Sequence, residues 1–151
     1  MVEIVLFEPK YSFVFGDLNK EWITKFFKME ANDYKSLDYP KEYIIDKGGF
    51  IFVGLLNQEP VGVCALIKIS DIEFELSKMA VSPKAQGLKI GQLLVEKAIE
   101  KSKELKLKRL FLDSNSSLKP ALTLYEKVGF SYVNGFTSPY ERADVQMELF
   151  F

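Results

Sequence analysis

The stretch Glu75–Glu104, ELSKMAVSPKAQGLKIGQLLVEKAIEKSKE, decides how the rest of the chain reads. It divides into an extended run to Val81, a polar loop around Gln86-Gly87-Leu88-Lys89-Ile90-Gly91, and an amphipathic helix. In the helix Ile90, Leu94 and Ala98 make one stripe with Leu93 and Ile99 beside it. Lys97, Glu100, Lys101, Lys103 and Glu104 lie mostly outward, as a solvated face. A glycine-bearing loop at a helix start offers unpaired first-turn N–H groups and the positive end of the helix dipole, a ready anion site. The segment is therefore expected to hold a pyrophosphate-bearing cofactor, with the chemistry on the strand before it.

That strand, Glu73–Val81, has a fault in its alternation. Phe74 and Leu76 are apolar on one parity, and Met79 and Val81 on the other. One extra residue near Ser77-Lys78 restores a single apolar face, which predicts a β-bulge. The alternative is a strand covered on both faces that changes sides. A bulge interrupts pairing and frees backbone N–H and C=O groups.

On the upstream side, Val2–Phe7 reads as a first strand. Asn19 is a plausible cap for a helix over Lys20–Glu30 with Trp22, Ile23, Phe26 and Phe27 at helical spacing. That aromatic cluster is read first as core, and in part as a pocket wall. Residues 31–48 are an irregular helical or loop segment broken at Pro40. Phe50–Leu56 and Val61–Ile69 form a hairpin turned at Asn57-Gln58-Glu59-Pro60. Cys64, inside the second of these strands, reads as a buried, inert thiol rather than a nucleophile.

Downstream, Lys108–Asp113 is a strand reached by a right-handed parallel crossover. Pro120 fits the first turn of a helix with Leu118, Leu122 and Tyr125 on one face, ended by Gly129. Phe130–Val133 and Ala143–Leu149 are the last strands. In the second of them Asp144, Gln146 and Glu148 alternate with apolar residues.

With 151 residues, 48% of them hydrophobic, the chain suits one core over residues 1–151. Its net charge of −1 argues against bulk nucleic-acid binding. The absence of histidine removes Ser-His-Asp and Cys-His chemistry and most zinc sites; no metal is expected. No GxxxxGK[ST] loop is present, which excludes a P-loop nucleotide enzyme. A single cysteine fits a reducing, cytoplasmic setting, and no signal-peptide pattern or membrane-spanning run is seen.

Two segments resemble signatures of the GNAT superfamily of N-acetyltransferases. MAVSPKAQGLKIGQLLVEKA is similar to its acetyl-CoA signature, and LYEKVGF, Leu124–Phe130, to its second. The resemblance implies an α/β (α+β) fold: a mixed, mostly antiparallel twisted sheet of about six to seven strands, helices on both faces, and a bulged central strand. It implies acetyl-CoA as co-substrate and a small-molecule or peptide primary amine as acceptor. Backbone groups of Met79, Ala80 and Val81 would meet the acyl oxygen and pantetheine arm, and Gln86, Gly87, Leu88, Lys89, Ile90, Gly91 and Gln92 the pyrophosphate. Asn115 is a weaker member, standing further from Tyr125 than the usual asparagine. Lys89 stands where the family usually has glycine, and would either crowd the pyrophosphate or add a cationic contact.

Acetyl transfer to an amine needs a base, since an alkylammonium titrates near ~10.4 in water, and donors for the oxyanion. Glu75 is the best base on the strand, with Glu73 second; its alternative is a solvated strand carboxylate or a partner of Lys78. Tyr125 matches the family tyrosine near the sulfur and would be the acid; on spacing alone it reads as a core aromatic. A non-catalytic acyl-CoA-binding module on the same fold is the competing function. Residues 13–48 and 134–142 are expected to set the acceptor, with Asp33, Asp38 and Glu141 as acids available to a cationic one. Phe150-Phe151 and the last strand allow a homodimer.

Overall fold

The computed structural model describes all 151 residues. In chain order they form β1 (Val2–Leu6), α1 (Ser12–Phe26), α2 (Ala31–Asp38), β2 (Phe50–Leu56), β3 (Glu59–Lys68), β4 (Glu73–Val81), α3 (Ile90–Glu104), β5 (Arg109–Ser114), α4 (Lys119–Lys127), β6 (Ser131–Tyr132) and β7 (Val145–Phe150). The strands join one seven-stranded sheet ordered β1-β2-β3-β4-β5-β7-β6. Only β4 and β5 are parallel, as the crossover through α3 requires; every other pair is antiparallel.

Apolar residues on both faces of the central strands dictate two cores. On one face Ile90, Leu94, Val95 and Ala98 of α3 and Leu122 and Tyr125 of α4 pack on Phe52, Leu66, Phe74, Leu76, Leu110, Leu112 and Met147. On the other, Phe15 and Ile23 of α1 pack with Leu37, Ile44, Ile51, Val53, Val63, Ala65 and Ala80. Cys64 is fully buried in the first core, and burial pushes its thiol up to about 12.

The bulge lies where the alternation breaks. Ala65 faces Ser77 and Val63 faces Ala80, so three steps along β4 match two along β3. The extra residue is Lys78, in left-handed backbone at φ 54. Phe74, Leu76, Met79 and Val81 thereby all meet the α3/α4 core.

Three sequence expectations need correction. The first helix starts at Ser12, not Lys20, and ends at Phe26; Asn19 is no cap but a buried mid-helix residue donating its side-chain N–H to the Phe15 carbonyl at 3.0 Å. Gly16 lies inside this helix, where a β-carbon would sit 2.9 Å from the Leu37 carbonyl oxygen: α2 crosses too closely for a side chain. The irregular segment 31–48 takes the helical option: α2, then a break at Tyr39–Pro40, then a π-type turn over Lys41–Ile45. The β2–β3 hairpin turns on Asn57 and Gln58 alone, both at positive φ, leaving Glu59 and Pro60 in the strand. Finally, β7 begins at Val145, because Asp144 turns away to accept hydrogen bonds from the Ser116 N–H and hydroxyl, each at 2.7 Å.

The close crossing at Gly16 makes a direct prediction. Alanine is the better helix former by about 1 kcal/mol, yet Gly16→Ala should destabilise the protein by about 1–3 kcal/mol through overpacking. Urea denaturation of both proteins checks the sign.

Candidate active site

The parallel ladder between β4 and β5 covers only Glu73–Glu75 against Arg109–Phe111. Beyond it β4 continues to Val81 held by β3, while β5 continues to Ser114 held by β7. The two strands part at the bulge, and a cavity of about 240 Å³ opens between them. From the α1 face it is lined by Asn19, Trp22, Ile23 and Phe27, and from the opposite face by Leu118, Ala121 and Tyr125 of the α4 region. Its walls are β4 from Glu75 to Val81 and the end of β5 at Asp113–Asn115. Tyr140, Arg142 and Ala143 of the loop before β7 complete it. The cavity therefore passes through the plane of the sheet.

Backbone direction along this wall follows from pairing. The Ser82 N–H donates to the Val61 carbonyl at 2.7 Å, and Ala80 faces Val63 two residues earlier. Antiparallel alternation then points the backbone groups of Ala80 and Ser82 at β3 and those of Met79 and Val81 at the gap left by β5.

Glu75 stands on the cavity wall without a hydrogen bond or ion pair in the chain. Burial, then the nearby Asp113 carboxylate, raise its pKa to about 7 against a smaller opposing pull from Lys78. The alternative expected from sequence, a carboxylate paired with Lys78, is not what forms: the Lys78 ammonium bonds Asp33 at 2.7 Å and the Tyr140 hydroxyl at 2.9 Å. Tyr125 is 8% exposed, lines the cavity from the other side, and its hydroxyl has no partner in the chain. Burial, then the neighbouring Cys64, hold its phenol well above the ordinary value.

The loop before α3 places Gln86 on the cavity rim and Gly87 at φ 84 in open space. Lys89 immediately precedes α3 at φ 59, ψ 27, the left-handed conformation that glycine adopts freely. A lysine there costs roughly 1 kcal/mol of backbone strain. No side chain caps this helix, and its first i→i−4 bond is Leu93 to Lys89 at 3.1 Å. The amides of Ile90, Gly91 and Gln92 thus lack intrahelical partners. At Gly91 a β-carbon would meet only Leu124 and Val81, both at 3.9 Å, so internal packing does not demand glycine. This loop fits an anionic group brought from outside. Asn115, by contrast, spends its side chain within the fold, donating to the Arg142 carbonyl at 2.7 Å and accepting from the Ser117 N–H and hydroxyl.

Sequence reading missed a buried ionic cluster beside the cavity. Asp33 (0% side-chain exposure) and Lys78 (3%) form an ion pair. Arg142 clamps the same carboxylate through two nitrogens at 2.7 and 2.8 Å, and reaches Glu30 at 3.2 Å. Glu30 and Asp33 are also the capping box of α2. Asp33 is therefore not an acid free for an acceptor, and Asp38 pairs with Lys20. Burial alone pushes Asp33 up, but its bonds from Arg142 and Lys78 outweigh it and hold it at about 2. Within β7, Gln146 is 8% exposed and donates to Asp113 at 3.0 Å.

A seven-stranded mixed sheet whose parallel pair splays at a bulge, beside an uncapped helix start, defines an acyltransferase-like architecture. The family model described as the Acetyltransferase (GNAT) family matches residues 16–130, and the chain belongs to that family. An uncharacterized N-acetyltransferase of Schizosaccharomyces pombe is 38% identical over 66 residues, 44% of this chain and 38% of that protein. The chain thus spans less than half the length of the curated relatives first matched. An acetyltransferase of the GNAT family from Staphylococcus aureus superposes with TM-score 0.86 at 20% identity, covering 98% of each chain. The PaiA N-acetyltransferase of Thermoplasma acidophilum, solved in complex with coenzyme A, superposes with TM-score 0.77 at 16% identity, covering 100% of this chain and 99% of that one. At these identities the superpositions speak to fold alone.

Breaking a buried ion pair from one side costs about 3–5 kcal/mol. Asp33→Asn should cost that much, and it carries a pH signature. Asp33 titrates below its ordinary 3.8, so its contribution is present above that pH and is lost as pH falls toward about 2. Acid titration of stability should therefore be flatter for the variant in that window.

Proposed function

We propose that this protein transfers the acetyl group of acetyl-CoA to a primary amine by direct attack within the cavity between β4 and β5. The observation that carries this reading is the placement of an unpaired carboxylate, Glu75, and an unpaired phenol, Tyr125, in one cavity lined from both sheet faces.

The fit of the co-substrate rests on the uncapped start of α3 and the open glycine loop. The amides of Ile90, Gly91 and Gln92, with Gly87 beside them, hold the pyrophosphate, and Lys89 adds a cation at the cost of its backbone strain. Acetyl-CoA, when bound, supplies an acyl thioester. Met79 and Val81 turn backbone groups into the gap, where their N–H groups stabilise negative charge developing on the acyl oxygen. Ala80, whose backbone pairs with Val63, holds this wall in place. Glu75, its pKa raised to about 7, takes a proton from the incoming ammonium near neutral pH. Tyr125 keeps its proton through the working pH range, since its phenol is raised further, and gives it to the departing thiolate. Asn115 acts indirectly, by fixing the loop that carries Arg142.

The functional domain is read as residues 1–151. The buried thiol of Cys64 agrees with a reducing, cytoplasmic setting; no helix is long and apolar enough to cross a membrane. Phe150 and Tyr132, 64% and 50% exposed at the far edge of the sheet, are the surface on which a homodimer would form.

Thiol release from acetyl-CoA across an amine panel tests the proposal: tight binding of acetyl-CoA with no turnover on any amine would make the protein an acyl-CoA-binding module instead. Two finer outcomes follow. For an acceptor protonated throughout, kcat/KM should rise with pH through a limb near 7, and Glu75→Gln should abolish that limb and lower the plateau about 100-fold. Tyr125→Phe should lower kcat by about 100-fold while leaving acetyl-CoA affinity, read by calorimetry, unchanged.

A further inference from the structure

Four charged side chains line the cavity: Glu75, Asp113, Lys78 and Arg142. Both cations are spent. The Lys78 ammonium is 3% exposed and bonded to Asp33, and the Arg142 guanidinium is clamped on Asp33 and Glu30. Asp33 and Glu30 together neutralise them, and Asp33 is fully buried behind the wall. The two carboxylates are not matched in this way. Asp113 accepts only from neutral donors, the Ser138 hydroxyl at 2.7 Å and the Gln146 amide at 3.0 Å. Glu75 has no bonded partner. Both carboxylates project from the same sheet face, because Glu75 pairs with Phe111 and Asp113 follows two residues on. A third group points to a ligand in the same space: Tyr125, more than nine-tenths buried, directs a hydroxyl without a protein partner into it.

The balance is one-sided. Once Glu75 has taken the proton of the reacting amine it is neutral, and Asp113 is left facing the cavity with one uncompensated negative charge. An acceptor that brings a second cation restores neutrality there. An acceptor carrying a carboxylate finds no uncompensated cation, since the charges of Lys78 and Arg142 are already matched by Asp33 and Glu30. The other wall, Trp22, Ile23 and Phe27, suits an aliphatic or aromatic spacer.

We infer that the acceptor is a diamine lacking a carboxylate, whose reacting nitrogen lies at Glu75 and whose second, cationic nitrogen binds Asp113. This rests on the acetyl-transfer reading for its reacting nitrogen, and makes Asp113 the specificity-determining residue.

The test uses the full chain with 1,4-diaminobutane, n-butylamine and 4-aminobutanoate. It is followed by thiol release, and separately by calorimetric binding to protein saturated with coenzyme A. Diaminobutane should exceed butylamine in kcat/KM by about tenfold or more, as one charge-assisted hydrogen bond provides, with aminobutanoate weakest. In Asp113→Asn the diamine-to-monoamine ratio should fall toward one. Equal use of the mono- and diamine, preference for aminobutanoate, or a ratio unchanged in Asp113→Asn would overturn the assignment. Asp113-dependent diamine binding without turnover would uphold it while sinking acetyl transfer. Absence of both turnover and diamine binding would overturn it.

Discussion

The buried contact between Lys78 and Asp33 is the constraint on which the rest of the site depends. Lys78 is the extra residue of the bulge, held in a backbone conformation that costs a lysine roughly 1 kcal/mol. Its side chain ends on a carboxylate with no solvent exposure. Removing Asp33 would strand the buried Lys78 ammonium, a penalty several times the strain. The geometry of the bulge is thus fixed from its side chain, and with it the direction of every backbone group from Met79 to Val81.

The same carboxylate ties together three parts of the chain that are remote in sequence. Asp33 belongs to the capping box of α2, Lys78 to the central strand and Arg142 to the loop before β7. Tyr140 lies between the two cations, its ring centroid 4.4 Å from the Lys78 nitrogen and 4.5 Å from the Arg142 guanidinium carbon. The elements expected to read the acceptor are therefore bolted to the strand expected to perform the reaction.

What the sequence made legible was periodic. The bulge follows from a parity slip between Leu76 and Met79, and α3 from the Ile90-Leu94-Ala98 stripe, because alternation and helical repeat are local properties of the chain. The start of α1 was hidden because Gly16 answers to a carbonyl of α2, a contact no local pattern reports. The ionic cluster was hidden for the same reason: its partners lie 45 and 109 residues apart. Asp33 looked like one acid among several, and Asp113 like the end of a strand. Their settings differ in the fold, since Asp33 is consumed by two cations whereas Asp113 meets only neutral donors at the cavity wall.

The gap between β4 and β5 has a further consequence. A cavity walled by α1 on one side of the sheet and α4 on the other would, on the proposed reading, bring two molecules together end to end. Neither has to leave before the other arrives, and neither departs along the other's path. Such a passage favours a mechanism in which both substrates are present before any bond changes. Double-reciprocal plots for a chain built this way would intersect rather than run parallel, and the one thiol of the chain, Cys64, lies sealed in the core, out of reach of an acyl group in the cavity.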